Sequence, residues 1–201
     1  MSLGVGARAY AMANYPPVYL PYGSLMTATG PVKEVAGQKT WIEYGLADLR
    51  SLPTELRSPA PDEIPAADSA DAAVEIVAGA FGLADPNIDR IAQLTPVGVV
   101  TVLRDKLVHI VEKRQDARER YANHAISTLN DPFEVWRIEY DNGDYRQAFI
   151  GAFEGKRQML VIVDIVVGDV LWNFMHTDSK ALNKHRHGML IHQRTPPVDE
   201  A

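Results

Sequence analysis

Between residues 133 and 177 the chain carries four segments rich in aromatic and β-branched residues, separated by turns too short to hold a helix. The segments are 133–140, 145–153, 158–167 and 170–177. Asp141-Asn142-Gly143-Asp144 is a strong hairpin signal, because Asn-Gly supplies positive φ angles, while Glu154-Gly155-Lys156-Arg157 and Gly168-Asp169 serve the later corners. Parallel neighbours need a crossover of a dozen or more residues. The spacing therefore predicts an antiparallel four-stranded meander.

Helical periodicity precedes it. Ser69 and Asp71 stand before an apolar series of Ala73, Val74, Ile76, Val77 and Phe81, which predicts a short capped helix ended by Gly82. After a short strand at 97–102, Leu103, Leu107, Ile110, Ala117, Tyr121 and Ala125 share one stripe of a helix running to about residue 128. That helix would cover one face of the sheet. Arg114 and Arg118 land on the same stripe, so they are paired, overhang a polar cleft, or are turned outward by a break near Gln115-Asp116. In a continuous helix, His109 faces solvent.

The fold class expected is α+β. Eight of the 13 prolines lie before residue 66, which reads as an extended arm over 1–66 whose apolar patch, Trp41, Ile42, Tyr44, Leu46, Leu49 and Leu52, packs on the domain carboxy-terminal to it. A short helical connector is expected over 67–94, the α+β domain over 95–195 and a tail over 196–201.

The absence of cysteine excludes disulfides, thiolate metal sites and a cysteine nucleophile. The longest apolar stretch carries Asp164, Gly168 and Asp169 and is too short to span a bilayer, and the amino terminus lacks the apolar run of a secretory signal. A soluble cytoplasmic protein is the reading. A net charge of −6 opposes bulk electrostatic holding of nucleic acid. The charge is uneven, however: residues 1–95 have 6 Lys/Arg against 11 Asp/Glu, and residues 96–201 have 14 against 15. Residues 179–197 hold Lys180, Lys184, Arg186, Arg194 and three histidines with no acid, so a local anion site is possible there.

No phosphate-binding glycine loop, hydrolase elbow, His-Glu-x-x-His or calcium loop occurs. Hydroxyl, amide, ammonium, imidazole and guanidinium groups instead crowd the run from Thr177 to Gly188, a set suited to gripping a phosphate or equally to a solvated basic turn. His176, His185, His187 and His192 could alternatively ligate a metal, but no pattern of carboxylates accompanies them, and no metal or cofactor is expected. Arg137 and Arg146 sit among apolar neighbours on their strands, so each is an ion-pair or a cleft residue, with Glu134, Glu139 and Asp164 as available partners.

The stretches from Leu107 to Arg114, Arg118 to Ala122 and Thr128 to Trp136, with Tyr145-Arg146, Trp172-Asn173-Phe174 and Leu182-Asn183-Lys184-His-Arg186-His-Gly188, resemble phage-encoded nucleases of the barnase, EndoU, colicin and RelE-like superfamily. The resemblance covers roughly residues 95–195, and its most specific parts are Pro-Phe-Glu-Val-Trp and Leu-Asn-Lys-x-Arg-x-Gly. It implies a metal-independent endoribonuclease, acting on RNA such as tRNA, that drives a ribose 2′-hydroxyl onto the neighbouring phosphate. Such domains accompany Mu-type head morphogenesis proteins, which implies a place in the host cell or the virion, toxin or assembly roles, and head or portal proteins as partners.

Carried over by position, the resemblance makes His109, Arg146, Thr177, Lys184 and Arg186 catalytic and Arg114, Arg118, Asn183 and His187 substrate-binding. His109 would be acid or base, since imidazole titrates near neutrality. Its inclusion needs a helix break or a site at the helix edge. Otherwise His176 or His187 carries the proton. The alternative function is a non-catalytic virion or head-assembly module.

Overall fold

The computed structural model describes residues 32–112, 114–165 and 168–195. Seven strands form one sheet: β1 (Arg90–Thr95), β2 (Gly98–Leu103), β3 (Glu134–Glu139), β4 (Tyr145–Gly151), β5 (Gln158–Asp164), β6 (Val170–Thr177) and β7 (Met189–Gln193), in the order β1-β2-β6-β5-β4-β3-β7. The expected four-stranded meander is thus corrected to a curled, mixed seven-stranded sheet. Strands β3 to β6 pair antiparallel in succession. The β1–β2 hairpin joins β6 through a single parallel pair, Thr101 with Val170, and β7 adds to the outer side of β3. β7 lies inside the basic run and is only five residues long, Met189 to Gln193.

Four helices accompany the sheet among the described residues: α1 (Ala70–Ala80), α2 (Arg104–Val111), α3 (Ala122–Asn130) and α4 (Ser179–Leu182). Ser69 caps α1 by accepting from the Ala72 N–H, and Asp178 caps α4 by accepting from the Ala181 N–H. The single long helix expected to residue 128 does not form. Between α2 and α3 lie two 3₁₀ turns, Arg114–Asp116 and Arg118–Tyr121, with Ala117 between them at φ 40° in the left-handed region. A continuous helix would drive Arg118 unpaired into the apolar layer, at several kcal/mol or more. The break turns its guanidinium onto Asp116 and Asn173 instead.

Because strand side chains alternate, the sheet carries a core on each face. Val135, Phe149, Val161, Val163, Leu171 and Phe174 pack under α1, α2 and α3. On the other face Trp136, Ile138, Ala148, Ile150 and Leu160 pack against Leu49, Leu52 and Leu182, with Trp41, Tyr44 and Leu46 half-buried beside them. Residues 34–58 therefore lie on the sheet, bridging it at Glu34 with Tyr140, Thr40 with His187 and Ser58 with Phe153. Ile42 is the exception in that patch and stays exposed. The amino-terminal part of the expected arm, residues 1–31, lies outside the described residues, as does the tail from 196. No helix among the described residues is long and apolar enough to cross a membrane.

Candidate active site

After its one pair with β2, β6 runs on with α2 and the 3₁₀ turns beside it in place of a strand. Its pairing with β5 is irregular: Asn173 faces Ile162 and Leu171 faces Val163, leaving Trp172 as an extra residue. Such a bulge bends a strand and re-aims a side chain. Leu171 and Phe174 are both buried, whereas Trp172 is 41% exposed. Trp172 lines two hollows. One, of about 220 Å³, is lined by His109, Glu112, Arg118, Trp172 and Asn173. The other, of about 630 Å³, has Arg90, Lys106 and Asp164 among its walls along with Thr101, Leu103 and Val170.

The smaller hollow brings together an imidazole, a carboxylate and a guanidinium. The Arg118 side chain is only 7% exposed. Its Nη1 donates to Asn173 Oδ1 at 2.7 Å, and Nε and Nη2 donate to Asp116 Oδ2 at 3.2 and 2.9 Å. These bonds fix the fork in direction. His109 is exposed on the last turn of α2, its Nδ1 3.6 Å from Glu112 Oε2. Beside Trp172, Arg146 lies over the indole ring at 5.5 Å and over the Tyr140 ring at 4.6 Å, with Nε 3.5 Å from Asp164. Arg146 therefore braces Trp172.

His109 and Arg118 thus share one hollow, with Arg146 next to it, and the break in the helix is what allows this. Arg114 begins the first 3₁₀ turn, and its side chain lies outside the described residues. Thr177 ends β6 opposite Gln158, about 16 Å of strand beyond Trp172.

The remaining candidates lie on the other face of the sheet, where they hold residues 34–49. Arg186 is buried and paired to Glu134, with Nε and Nη2 donating at 2.7 and 2.6 Å, and Trp136 Nε1 donates to the same carboxylate. Its Nη1 donates to Ala47 O and Asn183 Oδ1, and the guanidinium lies over Trp41. Asn183 Nδ2 donates to Asp48 Oδ1 at 2.8 Å. Donors from Arg50, and then Asn183, hold the Asp48 carboxyl far below the usual carboxylate range. His187 Nε2 is 3.0 Å from Glu34 Oε2, and exposed Lys184 stands by Trp41. Gly188, at φ 98°, comes so close to β3 that an added Cβ would sit 2.4 Å from Arg137 O. The Leu182–Gly188 motif is thus a clasp for the amino-terminal segment, and its cations do not reach the hollow around His109.

A third cluster joins the two remaining histidines of interest. His176 stacks on Tyr121 at 4.0 Å and approaches Arg157, and burial followed by that guanidinium pushes its pKa down. His124 is buried between Tyr121 and Phe153 with its pKa also lowered by burial. Among the described residues, no group of three or more His, Asp or Glu is placed to hold a metal ion.

The family model described as phage-Barnase-EndoU-ColicinE5/D-RelE like nuclease2 matches residues 77–193. The chain belongs to this phage nuclease family. The match runs from within α1 to the end of β7, so this nuclease domain includes both hollows and the clasp but not the clasped segment. No curated protein and no solved structure matches the chain. Glu112, Asp116, Trp172 and Asn173 are the site residues that sequence reasoning did not single out as such. The signal for Trp172 was the three-residue spacing of Leu171 and Phe174, which breaks strand alternation.

Proposed function

We propose that this nuclease domain is an endoribonuclease that needs no metal ion and cleaves by attack of a ribose 2′-hydroxyl on the adjacent phosphate. The observation that carries the reading is the convergence of an imidazole, a carboxylate and a buried, pre-aimed guanidinium in one hollow. With the phosphate against Arg118, His109 takes the proton of the 2′-hydroxyl, the 2′-oxygen bonds to phosphorus, and the bond to the 5′-oxygen breaks. His109 returns the proton to that leaving oxygen, giving a 2′,3′-cyclic phosphate and a 5′-hydroxyl. Glu112 favours the imidazolium between the two transfers, and Arg118 faces the charge that builds on the phosphoryl oxygens. Asn173 keeps the guanidinium in place.

The test is incubation with total tRNA in chelator, with a matched DNA and a His109→Ala variant alongside. RNA fragments in chelator, intact DNA and a loss of about 100-fold or more in the variant are expected. Cutting of DNA, dependence on added metal, or full activity without His109 defeats the reading.

One observation favours a second reading, a docking module for phage head or portal proteins. Leu94 and Val99, cross-strand partners in the edge hairpin, are 73% and 50% exposed. Exposed apolar pairs at a sheet edge suit a protein partner. If Leu94→Glu abolishes association with virion proteins and the purified chain cuts nothing, this reading replaces the first.

A further inference from the structure

We propose that Trp172 is a stacking platform for one unpaired base, so that the domain acts on single-stranded rather than base-paired nucleic acid. The proposal rests on the nuclease reading above and names its substrate class. A tryptophan in the middle of a strand is ordinarily a core residue, yet the bulge in β6 puts its buried neighbours Leu171 and Phe174 on the core side and leaves the indole 41% exposed. Trp172 lines both the hollow that holds His109 and Arg118 and the larger hollow of about 630 Å³. That volume is in the range of small-molecule sites and is ample for one nucleoside.

The walls fit that occupant. Leu103 and Val170 offer apolar contact to a base, while Arg90 and Lys106 supply positive charge for the phosphates on either side of it. Arg146 is pinned by Asp164 and the Tyr140 ring and lies over the indole, which fixes the ring's tilt and adds positive charge at the platform. Because Trp172 lines both hollows, a base stacked here lies beside the hollow that Arg118 lines. In a duplex both faces of every base are already covered, so a base must leave the stack before it meets Trp172. An unpaired strand has no such cost.

The experiment measures binding, so that it does not depend on cleavage. Fluorescence anisotropy of labelled 2′-deoxy oligonucleotides, which lack the attacking hydroxyl, is recorded for a single strand and a hairpin of equal length with the full chain, Trp172→Phe and Trp172→Ala. The full chain should bind the single strand at least about tenfold tighter than the hairpin, and Trp172→Ala should lose about tenfold or more on the single strand only. Trp172→Phe should retain most of the affinity. Equal binding of the two oligonucleotides, or an unchanged Trp172→Ala, overturns the proposal. Should Trp172→Ala melt early, the comparison of single strand and hairpin by the full chain decides. If no RNA is cut yet binding depends on Trp172, the platform stands and the nuclease reading alone falls.

Discussion

Arg118 and Asn173 are joined by a 2.7 Å hydrogen bond between a turn that interrupts two helices and a bulged strand 55 residues later in the chain. The bond ties the Arg118 guanidinium to the strand that carries Trp172. Asn173→Ala leaves a buried guanidinium short of one acceptor, which costs about 1–3 kcal/mol. Urea unfolding should show that loss. Cleavage of tRNA should fall further than stability does, because a loosened Arg118 no longer faces the transition state; a variant with full turnover would put Arg118 outside the chemistry.

Arg186 and Lys184 sit three residues or fewer from Asn183 in the same motif, yet their environments call for opposite outcomes. Arg186→Ala strands Glu134 in the core and should destabilise by about 3–5 kcal/mol, while Arg186→Met with Glu134→Gln should recover much of it. Lys184→Ala removes an exposed side chain and should change neither melting temperature nor cleavage rate by more than about twofold. A large rate loss in Lys184→Ala at unchanged stability would move catalysis to the clasp.

Aromatic and β-branched residues between short turns made the four central strands legible, and a capped apolar stripe did the same for α1. Periodicity missed β1 and β2 as a pair because the exposed Leu94 and Val99 blur the pattern of a half-buried hairpin. The long helix failed for a different reason. Its stripe is real on both sides of residue 117, but one alanine in a left-handed conformation rotates the second half, and no side-chain pattern encodes that φ angle. His109 came into the candidate set through the family resemblance, since helical periodicity alone turned it to solvent. The clasp was not legible, since a run of cations reads alike whether it meets phosphate or a carboxylate such as Glu134 from a distant strand.

Acid sensitivity should come from one buried imidazole, His124, and two half-buried ones, His176 and His185. Burial is the leading cause of the lowered pKa values of His124, His176 and His185, each depressed from 6.5. The unfolded chain therefore binds more protons at these sites, so their stabilisation is complete above about pH 6.5 and is lost as pH falls through the lower folded values. His124 Nδ1 is buried with no hydrogen-bond partner, between the rings of Tyr121 and Phe153. His124→Phe should keep those ring contacts and flatten the fall of melting temperature between pH 6.5 and 5. A steeper fall in the variant would mean that His124 is protonated in the folded protein.

Ala117 stores strain next to the site. A non-glycine residue at φ 40° costs about 1–2 kcal/mol, and here it joins Asp116 to Arg118, the two ends of the ion pair that aims the guanidinium. Ala117→Gly relieves that strain but gives the unfolded chain about 0.4–1 kcal/mol of extra freedom, so stability should stay level or rise by up to about 1 kcal/mol. The gain has a kinetic cost, because the glycine lets the Asp116–Arg118 turn sample other conformations, and cleavage should drop several-fold. Ala117→Val should do the reverse to stability, since a β-branched side chain opposes the left-handed region more strongly than a methyl group does. Thermal melts and single-turnover cleavage on the same samples separate the two effects. If Ala117→Gly proves less stable than the parent, the left-handed turn is not strained and the helix break needs another cause.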